Sequence, residues 1–564
     1  MIRTAQGNLR RFFLAASRLN GRSGAALLCG GDVRTWRMAE FHERIARCAT
    51  QGACLFALLL LAGCATLRTD YAKPETHALA MSADTPSTRY VQEEAAAHAP
   101  QSGFRPLVAN TNALMSRIAL ADHAAHSIDL QYYIFKNDPT GRLLAQHLLA
   151  AADRGVRVRV LLDDLGIDKE DHLLDSLDAH DNIEVRLFNP FSVRNRSLWS
   201  KAGQFLLEGR RLNRRMHNKS FIVDNALAIV GGRNIGDAYF DAGDEVHFND
   251  LDVIAIGPVV PQVSTMFDAY WNSDAAYPVT AFKGERATAE NLARLRTRLA
   301  KDARTFAESD YAQAIDEDLP RGPSADRRGR WFWGEATLIA DDPGKVDPDL
   351  DRKAFHLAPQ IRAMLDDART QATIVSPYFI PGTKGAAFLD ALAKRGVGVR
   401  VLTNSLAATD EPEVHAGYSR YREELLEAGI DLYELRPIPG QQRRRSYGTS
   451  SGVSLHAKTM VVDHRHVFIG SMNFDPRSRL LNTEMGIVAD SPELGAAIER
   501  YFSQATVPQN AFHVTLERKG RSHVLRWNAV DDGKPVTFDT EPGVSWLRRM
   551  QVNLLRLLPI EGLL

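Results

Sequence analysis

Apolar and polar positions along this chain follow one order of elements twice. Residues 127–135 (SIDLQYYIF) and 372–380 (ATIVSPYFI) have the β-branched and aromatic content of strands, and both end in aromatic side chains. Each is followed by a glycine-bearing turn and a segment with a 3.6-residue apolar period, 141–153 and 385–394, which predicts an amphipathic helix. Arg154-Gly155 and Arg395-Gly396 mark the helix ends, and the valine-rich runs behind them predict buried strands. A third strand is predicted at 183–188 (IEVRLF) and again at 430–435 (IDLYEL). Alternating segments at 219–224 and 458–463 then lead into returning strands at 226–230 and 466–469. A last matched pair starts after Asn249-Asp250 (LDVIAIG) and Asn482-Thr483-Glu484 (MGIVA).

This repetition predicts an α/β fold made of two pseudo-symmetric modules, each a mixed sheet flanked by helices, with the two sharing one site. The modules are expected at 106–274 and 331–564. A charged, helical connector at 275–330, closing with Pro320 and Pro323, is expected to pack outside the core. The offset between halves drifts from 245 residues (Tyr133 to Tyr378) to 239 (His217 to His456), as small insertions on a shared core would produce.

The region before the modules has a different character. Residues 53–63 (ACLFALLLLAG) are apolar, but a transmembrane helix needs about 20 residues. Preceded by Arg44 and Arg47 and ending in Leu61-Ala62-Gly63-Cys64, the run fits a secretory signal that closes in a bacterial lipobox. We therefore expect a lipoprotein signal at 38–63, lipidation of Cys64, and a periplasm-facing position on a membrane of the cell envelope. Residues 1–37 have no evident role if Met38 is the start. Residues 64–105, rich in Ala, Thr, Ser and His, are expected to form a tether.

Composition narrows the chemistry. The chain has 564 residues and 69 bases against 69 acids. Nine Arg and three acids lie in the first 47 residues, which leaves 60 bases against 66 acids in the remainder. A mildly acidic body argues against nucleic acid as a partner. The four cysteines, Cys29, Cys48, Cys54 and Cys64, all precede the modules, so neither a disulfide framework nor a cysteine zinc site is expected.

The strongest signal is a duplicated motif. His217, Lys219, Asp224, Gly231-Gly232 and Asn234 recur at identical intervals as His456, Lys458, Asp463, Gly470-Ser471 and Asn473. A single His-x-Lys carries little weight, because lone histidines are usually structural. Two complete copies define candidate catalytic residues His217, Lys219, Asp224, His456, Lys458 and Asp463. On a strand, residues two apart share a face, so His and Lys point at one phosphate. Asp has the opposite parity near the strand end, the position of a turn or partner residue. The small residues let backbone amides approach an anion, and Asn234, Ser471 and Asn473 are candidate phosphate-binding side chains. A neutral imidazole can attack a phosphodiester, while a second, protonated one donates to the leaving alkoxide. Two Lys and two Asn supply the electrostatic stabilisation that a metal would otherwise give, so no metal or cofactor is expected. Asp250 and Glu484 are candidate carboxylates to orient the rings.

These residues resemble the phospholipase D superfamily, whose signature is a duplicated His-x-Lys-x4-Asp-x6-Gly-Ser-x-Asn. Within it the chain is similar to bacterial cardiolipin synthases. The likeness extends over about 105–564 and includes LQYYIF (130–135), RLNRRMHNKSFIVD (211–224), GGRNIGDAYF (231–240), LTNSLAATD (402–410) and GSMNFDPRSRLLNTEMG (470–486). The resemblance implies two phospholipase D-like domains and transfer of a phosphatidyl group between lipids. Phosphatidylethanolamine is the implied donor and phosphatidylglycerol the implied acceptor, with His217 as nucleophile and His456 as acid and then base. Gly232 departs from the signature, because the first half lacks the hydroxyl kept at Ser471.

Three other readings stay open: a hydrolytic phospholipase D, a secreted nuclease with the same motif, and a non-catalytic anionic-lipid-binding protein. The intact His and Lys pairs weigh against the last, and the acidic body against the nuclease. A membrane surface is an expected partner on two grounds. Arg194, Arg196, Lys201, Arg210, Arg211, Arg214 and Arg215 are interleaved with Trp199 and Phe205–Leu207 before the first motif, and Arg443–Arg445 precede the second. Residues 546–564 form an amphipathic helix candidate that either docks on a membrane or packs on the body.

Overall fold

The computed structural model describes residues 71–558, apart from 168–170, 192–203, 206–207, 244–245, 284–286, 314–329, 351–355, 438–451 and 521, together with 562. The signal segment, Cys64, Arg194, Arg196, Trp199, Lys201, Leu206, Leu207 and Arg443–Arg445 lie outside the described residues.

The first module contains β1 (Ser102–Leu107), β2 (Ser127–Ile134), β3 (Arg157–Gly166), β4 (Ile183–Phe188), β5 (Ser220–Val223), β6 (Leu227–Gly231), β7 (His247–Asn249), β8 (Asp252–Ile256) and β9 (Ala276–Pro278). The second contains β10 (Phe332–Ala340), β11 (Gln371–Val375), β12 (Gly398–Asn404), β13 (Asp431–Leu435), β14 (Val453–Leu455), β15 (Thr459–Val462), β16 (His466–Gly470) and β17 (Met485–Asp490). It continues with β18 (Ala511–Lys519), β19 (Ser522–Asp531) and β20 (Lys534–Phe538).

Pairing runs β1-β8-β6-β5-β2-β3-β4-β9 in the first module. In the second it runs β10-β17-β16-β15-β11-β12-β13-β18, in the same sense at each step. Parallel pairs occur at β2-β3-β4 and β11-β12-β13, where the helices Pro139–Asp153 and Gly382–Lys394 provide crossovers. The elements read in duplicate from apolar periodicity therefore pair in the same way in both halves.

Antiparallel pairing of β1 with β10 joins the two halves, with Gly103 opposite Trp333. A Cβ on Gly103 would come within 2.8 Å of the Trp333 ring, so this seam needs glycine. One apolar cluster draws on both modules, including Met216, Leu251, Val375, Leu402, Leu455 and Met485. The halves therefore share a core as well as a sheet.

Two expectations need correction. The segment expected as a tether packs on the body where it is described: on the first module through its polar backbone, and on β10 through His98, which stacks on Trp333 at 4.2 Å. Its polar backbone supplies what the module's buried arginines lack: Arg159 Nη1 donates to the Thr76 carbonyl at 2.9 Å and Arg186 Nη2 to that of Pro74 at 2.7 Å. Helix Pro86–Ala95 follows, and Ser87 reaches Asp224 at 2.9 Å. Low hydrophobicity here reflects polar docking. Likewise, the start of the expected connector is the edge strand β9 of the first sheet, because Ala276-Tyr277-Pro278 pairs with Phe188-Leu187-Arg186. The long helix Ala289–Ala307 lies against helix Pro139–Asp153.

Candidate active site

Both motifs sit where a strand of one half meets the other half. β7 and β14 form a parallel ribbon with Asn249 opposite Leu455, so the next residues, Asp250 and His456, emerge side by side. The pseudo-symmetric contact is a parallel bridge between Met216 and Thr483, which sets His217 beside Glu484. Backbone bonds fix both registers: His217 N donates to the Thr483 carbonyl at 2.9 Å, and His456 N to that of Asn249 at 2.7 Å.

Each histidine is consequently held by a carboxylate from the opposite half. His217 Nδ1 lies 2.9 Å from Glu484 Oε2, and His456 Nδ1 lies 2.5 Å from Asp250 Oδ2. Both carboxylates are fully buried. With Nδ1 engaged, Nε2 is the nitrogen each ring offers to a substrate. Tyr133 stands edge-on to His217 at 5.3 Å between ring centres, and Tyr239 edge-on to His456 at 5.2 Å. The lysines are equally constrained: Lys219 Nζ donates to the His217 carbonyl at 2.6 Å, and Lys458 Nζ makes the same bond to the His456 carbonyl.

Burial sets the electrostatics. It pushes His217 well below the ordinary histidine value, with Lys219 and Lys458 acting in the same direction. It pushes His456 down to about 3, with help from Lys458 and against Asp250. Burial also lowers Lys219 to about 7 and Lys458 to about 8, against the pull of Glu484 and Asp250. Glu484 is raised to about 7 by burial, which Lys219 and the Ser471 hydroxyl oppose. For Asp250 burial works upward, but His456 and Lys458 outweigh it and hold it low. Burial thus disfavours charge on both rings and both ammoniums, and an incoming anion offsets that effect. Each ammonium acts on the ring of the opposite half, so the four side chains share one pocket.

The remaining predicted residues divide. Asp224 and Asp463 sit at turns, where they accept backbone amides. Each begins a left-handed pair, Asp224-Asn225 (φ 51° and 53°) and Asp463-His464 (φ 50° and 59°), at the hairpins β5–β6 and β15–β16. Asp224 accepts the amides of Ala125, His126 and Ser127, and Asp463 those of Arg369, Thr370 and Gln371. The Ser471 hydroxyl donates to Glu484 Oε2 at 2.5 Å. Asn234 is committed too, taking the Ile134 amide at 3.1 Å and donating to the Tyr239 hydroxyl at 2.9 Å. Asn473 differs, because its buried Oδ1 has no hydrogen-bond partner.

Gly232 is explained by Asp250. A Cβ on Gly232 would stand 2.2 Å from Asp250 Oδ1, so the shorter carboxylate occupies the space that a serine would fill. Of three expected surface arginines one is an internal brace and two are half-buried. Arg215 is buried and pairs with Asp163 at 3.4 Å, Arg214 donates to the Lys345 carbonyl at 2.7 Å, and Arg211 pairs with Glu208 at 2.5 Å.

Sequence reasoning missed Tyr133, Tyr239 and Tyr378 as site residues. Tyr378 donates to Asp410 Oδ2 at 3.0 Å, beside Lys458. The duplication that aligned Tyr133 with Tyr378 was the available signal.

Two related α/β modules that pool their imidazoles and lysines in one pocket define a phospholipase D-like enzyme. The family described as "Cardiolipin synthase, PLD-like domain" matches residues 118–271 and 361–506, and the chain belongs to it. Cardiolipin synthase C of Escherichia coli (strain K12) is 42% identical over 474 residues, covering 83% of this chain and 97% of that protein. An uncharacterized protein of Helicobacter pylori (strain ATCC 700392 / 26695) is 34% identical, over 79% of this chain and 87% of its own. The crystal structure of phosphatidylserine synthase from Haemophilus influenzae Rd KW20 has the same fold, at TM-score 0.52 and 12% identity, over 84% of this chain and 99% of that one. The protein is a phospholipase D-type phosphatidyltransferase of the cardiolipin synthase family.

Proposed function

We propose that the enzyme forms cardiolipin by moving a phosphatidyl group from phosphatidylethanolamine to phosphatidylglycerol through a phosphohistidine. The observation that carries this reading is the crossed pairing of the two imidazole rings with two buried carboxylates. His217 Nε2 attacks the donor phosphorus, forming an N–P bond as the bond to the ethanolamine oxygen breaks. The entering phosphate charge raises the proton affinity of His456, which takes up a proton from water as the donor binds and then delivers it from Nε2 to that oxygen. His456 then removes the proton of a phosphatidylglycerol hydroxyl, whose oxygen displaces His217 from phosphorus. The lysines hold the non-bridging oxygens throughout. Glu484 and Asp250 stabilise the imidazolium character that develops on each ring.

The test uses mixed micelles with labelled phosphatidylglycerol, with and without phosphatidylethanolamine. Cardiolipin formation that depends on both lipids is expected; phosphatidic acid as the sole product would show a hydrolase. The reaction suits a protein anchored by Cys64 to a periplasm-facing membrane, a position that the lipobox-like run before Cys64 supports. Incorporation of labelled palmitate that is lost in Cys64→Ala tests the anchor.

A further inference from the structure

The C-terminal helix Trp546–Leu555 carries an apolar face that the body does not use. Trp546, Leu547, Met550 and Leu554 are 65%, 53%, 46% and 58% exposed, and Leu557 and Leu558 directly after it are 81% and 48% exposed. At about 100° per residue the four helical positions fall within roughly 100° of arc, a single stripe. These six are nearly half of the thirteen large hydrophobic side chains exposed among the described residues, yet they occupy thirteen consecutive positions. Scattered exposed leucines need no explanation; a contiguous stripe does.

The opposite side of the helix is occupied. Val552 is buried with Leu406 and Ala416, and Arg548 Nη2 donates to the Thr409 carbonyl at 3.0 Å. The segment leading to the helix is fixed by Glu541, which accepts His415 Nε2 at 2.8 Å and Arg422 Nη2 at 2.5 Å, while Arg422 also pairs with buried Glu434 at 2.9 Å. The stripe is thus held rigidly outward.

Its position and charge identify the occupant. Thr409 adjoins Asp410, which accepts the Tyr378 hydroxyl, so the helix is braced next to a residue whose charge acts on Lys458 of the site. From Trp546 to Leu558 the chain has three arginines, Arg548, Arg549 and Arg556, and no acid. Among the described residues no helix is long and apolar enough to cross a membrane. We propose that this helix lies in the surface of an anionic bilayer, with Trp546, Leu547, Met550, Leu554, Leu557 and Leu558 among the acyl chains, and so holds the pocket at the lipid surface. Aromatic and leucine side chains enter the headgroup–acyl boundary, and arginines at its edge meet anionic phosphates.

This deepens the proposed reaction and rests on it for its purpose, so the two are tested separately. The full chain carrying Cys64→Ala, which removes any acyl anchor, is sedimented with phosphatidylglycerol/phosphatidylcholine vesicles and with phosphatidylcholine vesicles. Binding to the anionic vesicles is expected, with at least a tenfold loss on adding Leu554→Glu and Leu557→Glu. Turnover of short-chain monomeric lipids should be unchanged in that variant, while turnover of vesicle lipids falls at least tenfold. Unchanged vesicle binding would overturn the proposal. So would a dimer in sedimentation velocity that the two substitutions dissociate while vesicle binding persists, since the stripe would then be a contact between copies. If neither lipid form yields cardiolipin, the reaction is wrong, and vesicle binding still decides the docking.

Discussion

The two half-sites perform the same task with different parts. Around His217 the carboxylate is the longer Glu484, steadied by the Ser471 hydroxyl. Around His456 it is the shorter Asp250, which takes the Leu251 amide at 2.7 Å and stands in the space left by Gly232. A missing methylene in the acid and a missing hydroxymethyl in the motif are one change seen from two sides. Side chains that look degenerate in a duplicated motif can therefore be complementary once the halves are packed. The asymmetry extends to charge, because burial raises Glu484 whereas His456 and Lys458 hold Asp250 low.

The sharpest test of that comparison removes the rings. His217→Ala and His456→Ala should each lower turnover by on the order of 10³-fold or more, with the far-ultraviolet circular dichroism unchanged. If the halves differ as nucleophile and acid, a phosphatidyl adduct should appear by mass spectrometry on His217 of His456→Ala and not on His456 of His217→Ala. Near-wild-type turnover in either variant would break the paired mechanism.

Restoring the motif should do harm. Gly232→Ser places a Cβ against Asp250 Oδ1, and the displaced carboxylate should cost roughly 10²-fold in kcat, by the loss of an oriented ring. An undisturbed Gly232→Ser variant would show that the glycine is incidental.

Acidity gives the third effect. Burial lowers Lys219 to about 7 and Lys458 to about 8, so the charges that hold phosphate are lost as pH rises through that range. The kcat/KM profile should fall on its alkaline side there, by up to about tenfold per pH unit. A bound phosphate anion raises both lysines, so the fall in kcat should lie at higher pH. Coincident limbs would contradict this.

Ser471→Ala removes one bond to Glu484 and leaves Lys219 and His217 in place. A loss of about 1–2 kcal/mol, or roughly 5- to 30-fold in kcat, is expected by steady-state assay.

The smallest effect on turnover belongs to the aspartates of the motif. Asp224→Ala and Asp463→Ala should lower the melting temperature while kcat at low temperature stays within about threefold, because both hold hairpin turns. Asp224 should matter more, being buried and also bound by Ser87. For Asp463 burial acts upward, but the amides of Gln371, Thr370 and Arg369 and the Thr370 hydroxyl hold it at about 2, below the ordinary aspartate range. Its contribution is thus complete above about pH 4 and is lost as pH falls toward 2.

Much of this architecture was legible because strands and helices declare themselves by period, and because duplication checks each reading against its copy. The motif residues were found for the same reason. The crossing of His217 to Glu484 and His456 to Asp250 was not legible: residues 267 and 206 positions apart are joined only when the halves pack, and no local pattern records which carboxylate serves which ring. Asp224 and Asp463 shared the catalytic motif's spacing because the hairpin that presents the ring also needs its turn. Residues 71–101 read as a tether because their bonds are polar and point at arginines far along the chain.

The crossed carboxylates also bear on what the covalent link between modules is for. Either module alone would hold a ring without its acid and an acid without its ring. It could complete itself only by finding a second copy, at a rate set by how many copies are present. Joined in one chain, the halves meet at a local concentration fixed by the connector, so catalytic competence does not depend on how much protein the cell makes.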